Sequence, residues 1–327
     1  MQLNEMQARS GIAVAGTTLV DRMNEIGAYP ALGELTKILT VGRTVGGCVP
    51  NVSIDLARIA PHVPVKAVGR IGRDEDGDFL LGEFAKNGVD TSLILRGETR
   101  TSFSDVMSVV GGERSFFVYA GASSEFGVGD VDFSHLDTKM LHLGYLLLLD
   151  KVDSGDGVKI LKAAKAHGIK TSIDVVSENS NRYHLVKDCL PYVDNLIVNE
   201  HEAGMITGIA PERKNLEKIA RALKAMGVAE RVILHTQNLG LCLSDAGYVT
   251  LPSFSLPDGY IKGTTGAGDA FCAGALIGIY EERSDREILE LASRAAVVSL
   301  SAPGAVDAMV TEEEILRLTK DLQRISL

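Results

Sequence analysis

The chain has 327 residues and a formal charge of −10, from 43 Asp and Glu against 33 Lys and Arg. That balance argues against a surface for nucleic acid or an acidic membrane. The length allows one large α/β domain or two smaller ones, with a sizeable core either way. Residues 1–10 are polar and mixed in charge, without a basic segment leading an apolar one, so no signal peptide is expected. Residues 12–15 read as a buried strand, 51–60 as a helix, 65–68 as a strand and 77–87 as a helix. Short apolar strands of the parallel type follow at 141–148, 171–175, 196–198 and 232–234, with helices between them. The stretch 140–149 contains His142 and Gly144 and is too short to span a bilayer.

The helix over 212–226 shows the clearest period, with Leu216, Ile219, Ala220, Leu223 and Met226 on one stripe. Three helices close the chain, near 266–280, 285–301 and 311–323. Alternating strand and helix predicts a three-layer α/β/α fold with a mainly parallel central sheet. Two segments, about 19–45 and 101–119, break the rhythm. The second holds two β-type runs flanking Gly111-Gly112-Glu113, a hairpin signal. Two β insertions off such a body predict a small separate sheet, within one domain spanning 1–327.

The four cysteines, Cys48, Cys189, Cys242 and Cys272, have no metal-ligand spacing and read as reduced thiols of a cytoplasmic protein. The seven histidines show no pair at ligand spacing and read mostly as surface or structural residues.

The most informative stretch is Gly263-Thr264-Thr265-Gly266-Ala267-Gly268-Asp269-Ala270-Phe271. Residues 272–280 behind it are apolar or glycine throughout, which predicts a buried helix. Glycine lets backbone approach a ligand closely, and the free N–H groups of a first turn make an anion site. Asp269 in that turn is placed to act as a base beside a bound phosphate, so phosphoryl transfer is the expected chemistry. The plain alternative is an Asp that complements the helix dipole after a glycine turn.

Thr264-Thr265-Gly266-Ala267-Gly268-Asp269 resembles the C-terminal signature of the ribokinase/PfkB family of carbohydrate kinases. Gly46-Gly47-Cys48-Val49-Pro50-Asn51 resembles its N-terminal Gly-Gly-x-x-x-Asn, and Asn199-Glu200-His201-Glu202 its Asn-x-x-Glu. Gly16, with Asp21 five residues on, resembles its early strand and substrate aspartate. These motifs stand in family order and span most of the chain.

The resemblance implies a ribokinase-like fold in which the small sheet is a lid over the sugar, often paired with a second subunit. It implies ATP and Mg²⁺ as ligands, with Asp269 as catalytic base and Gly266, Ala267, Gly268 and the Asp269 N–H as the anion hole. Asp21, Gly46, Gly47 and Asn51 would hold the acceptor. Asn199 and Glu202 would organise Mg²⁺ and the ATP phosphates, Glu202 through water; the same pair also fits a helix capping box. The turn residue and N-cap readings of Asp21 and Asn51 stand beside their acceptor roles. Asn195, Thr236, Ala296 and Gly304 fall near the family's nucleotide site, although plain packing explains the alanines too.

Two departures matter. Gly263 replaces an Asp that often helps bind a monovalent cation, which argues against such a cation here. Cys48 stands where sugar and sugar-phosphate kinases often have Lys, which weakens a phosphorylated acceptor. The expected reaction is ATP-dependent phosphorylation of a small free sugar at a primary hydroxyl. A nucleoside kinase is the alternative; the 5% aromatic content and the absence of Trp lean away from base stacking. A binding protein that has lost catalysis is a third reading, which the intact Asp269 and Glu202 oppose.

Overall fold

Alternation along the strands decides which helices cover each face of the main sheet. In the first strand, β1 (Ile12–Gly16), Ile12 and Val14 join one apolar cluster while Ala13 and Ala15 join another. The computed structural model describes residues 9–110 and 114–326. Residues 1–8 and the predicted hairpin turn at Gly111-Gly112-Glu113 lie outside the described residues.

Two strands, β2 (Leu19–Ile26) and β3 (Ile38–Gly46), follow β1 and leave the main sheet. The chain returns through helix α1 (Cys48–Ile59), strand β4 (Val65–Gly72), helix α2 (Glu75–Lys86) and strand β5 (Asp90–Gly97). It leaves again for β6 (Ser102–Val109) and β7 (Arg114–Tyr119), then rejoins at β8 (Met140–Leu146). Helix α3 (Gly157–Ala166), β9 (Lys170–Val175), β10 (Asn195–Asn199), α4 (Glu200–Thr207), α5 (Leu216–Ala225) and β11 (Arg231–His235) continue the α/β rhythm. A hairpin of β12 (Leu239–Ser244) and β13 (Gly247–Pro252) precedes α6 (Ala267–Tyr280), α7 (Asp285–Ser299) and α8 (Glu312–Thr319).

Among the described residues the main sheet is nine-stranded, in the order β13-β12-β11-β10-β9-β8-β1-β4-β5. Every pair from β11 to β5 is parallel, and at one edge β12 runs antiparallel to both β11 and β13. Parallel neighbours end on the same side, so Gly16, Tyr145, Asp174, Asn199 and His235 share one edge of the sheet. That edge is where ligands gather in such folds. The predicted three-layer fold is observed, with α1, α6 and α7 in one cluster and α3, α4 and α5 in the other.

The second sheet has four strands in the order β3-β2-β6-β7. Its outer pairs are antiparallel, and β2 and β6 run parallel with Asp21 beside Ser104. Arg22 and Arg43 tie it to α2, through Asp76 at 2.6 and 3.5 Å respectively. Its outward side chains stay exposed, among them Val41 at 78% and Phe117 at 58%.

Several boundaries differ from the expected ones. Helix α1 begins at Cys48 with Gly47 as its N-cap, so Asn51 lies within the first turn and is not the cap. Gly47 has φ 81, a backbone few side chains tolerate, and a Cβ there would meet Thr17 O at 2.7 Å. Met226 falls just past α5, whose buried stripe is Leu216, Ile219, Ala220 and Leu223. Strands β5, β12 and β13 were not foreseen.

Helix α6 has no polar face beyond its first turn, and everything from Asp269 to Ile279 is buried. It packs between α1 and α7. Gly274 lets the α7 backbone come close: a Cβ there would fall 2.8 Å from Ala292 Cα.

Candidate active site

Asp269 stands in the first turn of α6, after Gly266 in the left-handed conformation at φ 80. A side chain on Gly266 would collide with Ala305, whose Cα lies 2.6 Å from the ideal Cβ position. The turn needs glycine for both reasons. The N–H groups of Gly268 and Asp269 belong to the first turn and have no acceptor inside the helix. Ala267 N–H reaches back only to Thr264 O, at 3.4 Å.

The Asp269 side chain is buried yet accepts two hydrogen bonds. Asn51 Nδ2 donates at 2.9 Å and Tyr145 Oη at 3.0 Å. Burial, and then the Asp174 carboxylate nearby, push its carboxyl up to about 7, while the two donors pull the other way. A carboxylate so placed can exchange a proton near neutral pH.

Asp21 lies against the Gly46-Gly47 turn. A Cβ on Gly46 would fall 2.5 Å from Asp21 Cγ, so only glycine fits there. Burial raises the Asp21 carboxyl to about 7. Around it, Thr17 Oγ1, Asn51 Oδ1 and Ser104 Oγ are buried with no hydrogen-bond partner. Thr17 touches Gly47, Ser104 pairs in register with Asp21, and Asn51 bonds to Asp269. Buried polar groups normally have partners, so such a group marks the seat of a polar ligand.

Asn199 and Glu202 form a reciprocal capping box on α4. Asn199 Oδ1 accepts from Glu202 N–H at 2.8 Å, and Glu202 Oε2 accepts from Asn199 N–H at 3.0 Å. Ser177 Oγ donates to Glu202 at 2.6 Å. Burial lifts the Glu202 carboxyl to about 7. A cavity of about 150 Å³ is lined by Tyr145, Asp174, Asn199, Glu202, Gly268 and Asp269. The capping role therefore does not withdraw the pair from the cleft.

A larger cavity of about 650 Å³ opens on the other side of His235 and Gly268. Its lining includes Thr236, Asn238, Phe254, Phe271, Ala296 and Val297. Thr236 Oγ1 accepts from the N–H groups of Asn238 and Leu239, both at 3.0 Å, which closes the short turn.

The structure thus brings Asn199, Glu202, Gly266, Gly268 and Asp269 to the smaller cavity and Ala267, Thr236 and Ala296 to the larger one, while Asn51 reaches Asp269 by its hydrogen bond, with Gly46, Gly47 and Asp21 at the start of the same helix. It does not bring Asn195 there. That residue opens β10, at the strand end opposite Asn199, about 13 Å away at the usual rise per residue. It is fully buried, and its amide faces Glu230 at 3.5 Å. Gly304 does not line the larger cavity either; its neighbour Pro303 instead packs on Gly263. A Cβ on Gly263 would meet the Pro303 and Ala302 carbonyl oxygens at 2.7 and 2.9 Å, so the site has no room for a side chain.

Tyr145, Asp174 and His235 were not singled out by sequence. Each ends a strand without a local motif, and only the parallel register aligns them. Tyr145 holds φ 57, an uncommon backbone for a large side chain. His142 is a buried, structural histidine, while His235 is half-buried and lines both cavities.

Residues 12–312 match the sequence description of the pfkB family carbohydrate kinases. A ribokinase of Arabidopsis thaliana is 25% identical over 315 residues, covering 94% of this chain and 81% of that protein. A 5-dehydro-2-deoxygluconokinase of Clostridium botulinum is 24% identical, covering 88% of this chain and 87% of that one. Among solved structures, Arabidopsis thaliana ribokinase complexed with ribose and ATP superposes with a TM-score of 0.83. The identity there is 22%, with 95% of this chain and 99% of that chain covered.

Proposed function

The chain belongs to the pfkB family of carbohydrate kinases, and from that premise we propose that it phosphorylates a small free sugar, a pentose or hexose, at a primary hydroxyl. As a member of that family it is an ATP-dependent phosphotransferase with an alcohol acceptor. The observation that carries the choice of acceptor is the set of buried polar atoms on Thr17, Asn51 and Ser104, close to Asp21 and Asp269, that lack a partner among the described residues. Vicinal hydroxyls, each both donor and acceptor, are the groups that satisfy such a set. Nothing cationic stands at Cys48 to hold a phosphate on the acceptor. Phe103, next to Ser104 on the lid strand β6, is already covered by Arg22 at 3.7 Å and Tyr119 at 5.1 Å, which disfavours a base stacked on it.

Asp269 is the base in this reading. It takes the proton of the acceptor hydroxyl as that oxygen attacks the γ-phosphorus and the bond to the bridging oxygen of ADP breaks. The N–H groups of the Gly266–Asp269 turn hold the charge spread over the transferring group. The larger cavity suits the adenosine part of ATP, with Thr236 and Ala296 on its wall. Asn199 and Glu202 suit Mg²⁺ held through water, since Glu202 is a buried carboxylate with no cationic partner beside it. When bound, Mg²⁺ would neutralise charge on the phosphates. Gly263 leaves no side chain for a monovalent cation.

In the same reading residues 1–327 act as one catalytic unit, with 19–45 and 101–119 closing over the sugar. Among the described residues no helix is long and apolar enough to cross a membrane. The four free cysteines fit a reducing cytoplasm, where ATP is at hand.

The test is ADP release from Mg-ATP with free pentoses, hexoses, sugar acids and nucleosides, run beside Asp269→Asn. Turnover on one sugar that the variant loses supports the reading. Preference for a nucleoside keeps the kinase and overturns the acceptor. Binding of ATP and sugar without turnover overturns the activity.

A further inference from the structure

Behind Asp269 lies a group of side chains that phosphoryl transfer does not require. Cys48 opens α1, His142 lies on β8, Asp174 near the end of β9, and Cys272 one turn into α6. All four are buried. One donor atom each from Cys48, His142 and Asp174 lie within 4.8 Å of one another. His142 Nε2 stands 3.5 Å from Asp174 Oδ2 and 3.6 Å from Cys272 Sγ.

We propose that Cys48, His142 and Asp174 form a binding site for a thiophilic divalent cation of the Zn²⁺ class, with Cys272, whose sulfur approaches His142 Nε2 but stands outside that three-residue group, moving in as the fourth ligand. Tetrahedral Zn²⁺ with N, O and S ligands sets donor atoms about 3.4 to 3.8 Å apart, close to the two separations from His142, and the cation would draw the looser group together. The donor set of two sulfurs, one imidazole and one carboxylate suits Zn²⁺, Co²⁺ or Cd²⁺ and not Mg²⁺, which takes oxygen ligands in octahedral geometry.

Two further features prepare the site. His142 Nδ1 faces Ser172 Oγ at 3.0 Å, the outer hydrogen bond that orients a ligating imidazole and leaves Nε2 free for the cation. Gly144 leaves the space that the donors occupy: a Cβ there would lie 1.8 Å from Cys48 Sγ and 3.1 Å from Asp174 Oδ1. The cation has a route, because Asp174 and Cys272 both line the smaller cavity of the cleft. On binding, each thiol passes its proton to solvent as the sulfur–metal bond forms.

The site is coupled to the base. Asp174 accepts a hydrogen bond from Tyr145 N–H, and Tyr145 Oη donates to Asp269. A cation that takes the Asp174 carboxylate draws on this chain, so it inhibits turnover. That consequence alone rests on the kinase reading above.

The test is titration of the full chain with Co²⁺ under a phosphine reductant, without ATP or sugar, read by its visible and thiolate charge-transfer absorption. The expected result is one tetrahedral Co²⁺ per chain, displaced by Zn²⁺ and untouched by excess Mg²⁺. Cys48→Ala and Cys272→Ala should lose the thiolate band, and Cys189→Ala and Cys242→Ala should keep it. Ser172→Ala leaves all four donors in place and should weaken binding roughly tenfold or more, which decides the matter if a cysteine variant does not fold. A wild type without a thiolate band overturns the site, as does a band that survives in folded Cys48→Ala, Cys272→Ala and Ser172→Ala alike. Because the readout needs no catalysis, a chain that binds Co²⁺ but, freed of it by a chelator and supplied with Mg-ATP, turns over no sugar sinks the kinase reading and leaves the site standing.

Discussion

Arg114 on the lid strand β7 donates a hydrogen bond of 2.7 Å to Thr265 Oγ1, four residues before Asp269. The lid therefore touches the turn that leads to Asp269 directly. A charge-assisted bond of this kind is worth about 1.5–3 kcal/mol. Arg114→Ala should lower kcat/KM for the sugar by roughly ten- to a hundredfold. Steady-state kinetics decides it, and an unchanged kcat/KM would show that the contact has no part in closure.

Asp269→Asn should lower kcat by about two to four orders of magnitude while KM for both substrates moves little. Stability should move the other way. The folded-state carboxyl titrates near 7, above its ordinary value of 3.8, so the folded chain keeps a proton that the unfolded chain has released. The stability it contributes is present below the ordinary value and is lost as pH rises through about 7. Asn carries no charge there, so the variant should melt at a higher temperature than wild type at pH 8 and show little difference at pH 4. Equal melting curves at both would contradict the burial argument.

The same titration shapes the pH–rate profile. If Asp269 is the base proposed above it works ionised, so kcat should rise with pH through about 7 and then level. Tyr145 donates to the carboxylate and favours its ionised form, so Tyr145→Phe should move the midpoint upward. It should also reduce kcat at pH 6 more than at pH 9. A uniform loss across pH would mean that Tyr145 serves only as packing.

Asn199 and Glu202 form a cap and, in the proposed function, also hold Mg²⁺, and two variants separate these roles. Asn199→Ala should cost about 1 kcal/mol of stability through the lost N-cap, seen in urea unfolding. Glu202→Gln keeps an oxygen for the Asn199 N–H and removes the charge, so it should mainly raise the Mg²⁺ concentration needed for half-maximal rate. An unchanged Mg²⁺ dependence would leave Glu202 as a cap alone.

The exposed apolar side chains of β3 and β7 suit a second copy of the chain. Val41 at 78% and Phe117 at 58% exposure stand with Ile38, Leu39, Phe116 and Val118 among the exposed apolar side chains of the two edge strands. Sedimentation should show a dimer that Val41→Glu and Phe117→Asp dissociate. A wild type that stays monomeric at high concentration rejects the pairing.

Much of this site can be read from local sequence, and the rest depends on register. Gly266 and Asp269 are legible because one turn needs a positive φ, a close approach and a first-turn carboxylate within four residues. The Asn199–Glu202 cap is legible for the same local reason. Tyr145, Asp174 and His235 come from three strands, and no one strand records that parallel pairing ends them together. The same blindness placed Asn195 in the nucleotide site, although it opens the strand that Asn199 closes. Strands β12 and β13 escaped because an antiparallel edge hairpin does not share the helix-spaced rhythm of the other strands. Asn51 read as a cap candidate because nothing local shows that Gly47 already starts the helix.

The burial of α6 between α1 and α7 has a consequence for how the molecule opens. Its amides should exchange with solvent only when the whole domain unfolds, because the close Gly274–Ala292 approach ties it to the core. The four lid strands share few apolar contacts with that core, so their amides should exchange through separate, cheaper openings. The chain would then keep two clocks: a slow one under Asp269 and a fast one in the small sheet. In the proposed function, substrate comes and goes at the pace of the second without disturbing the first.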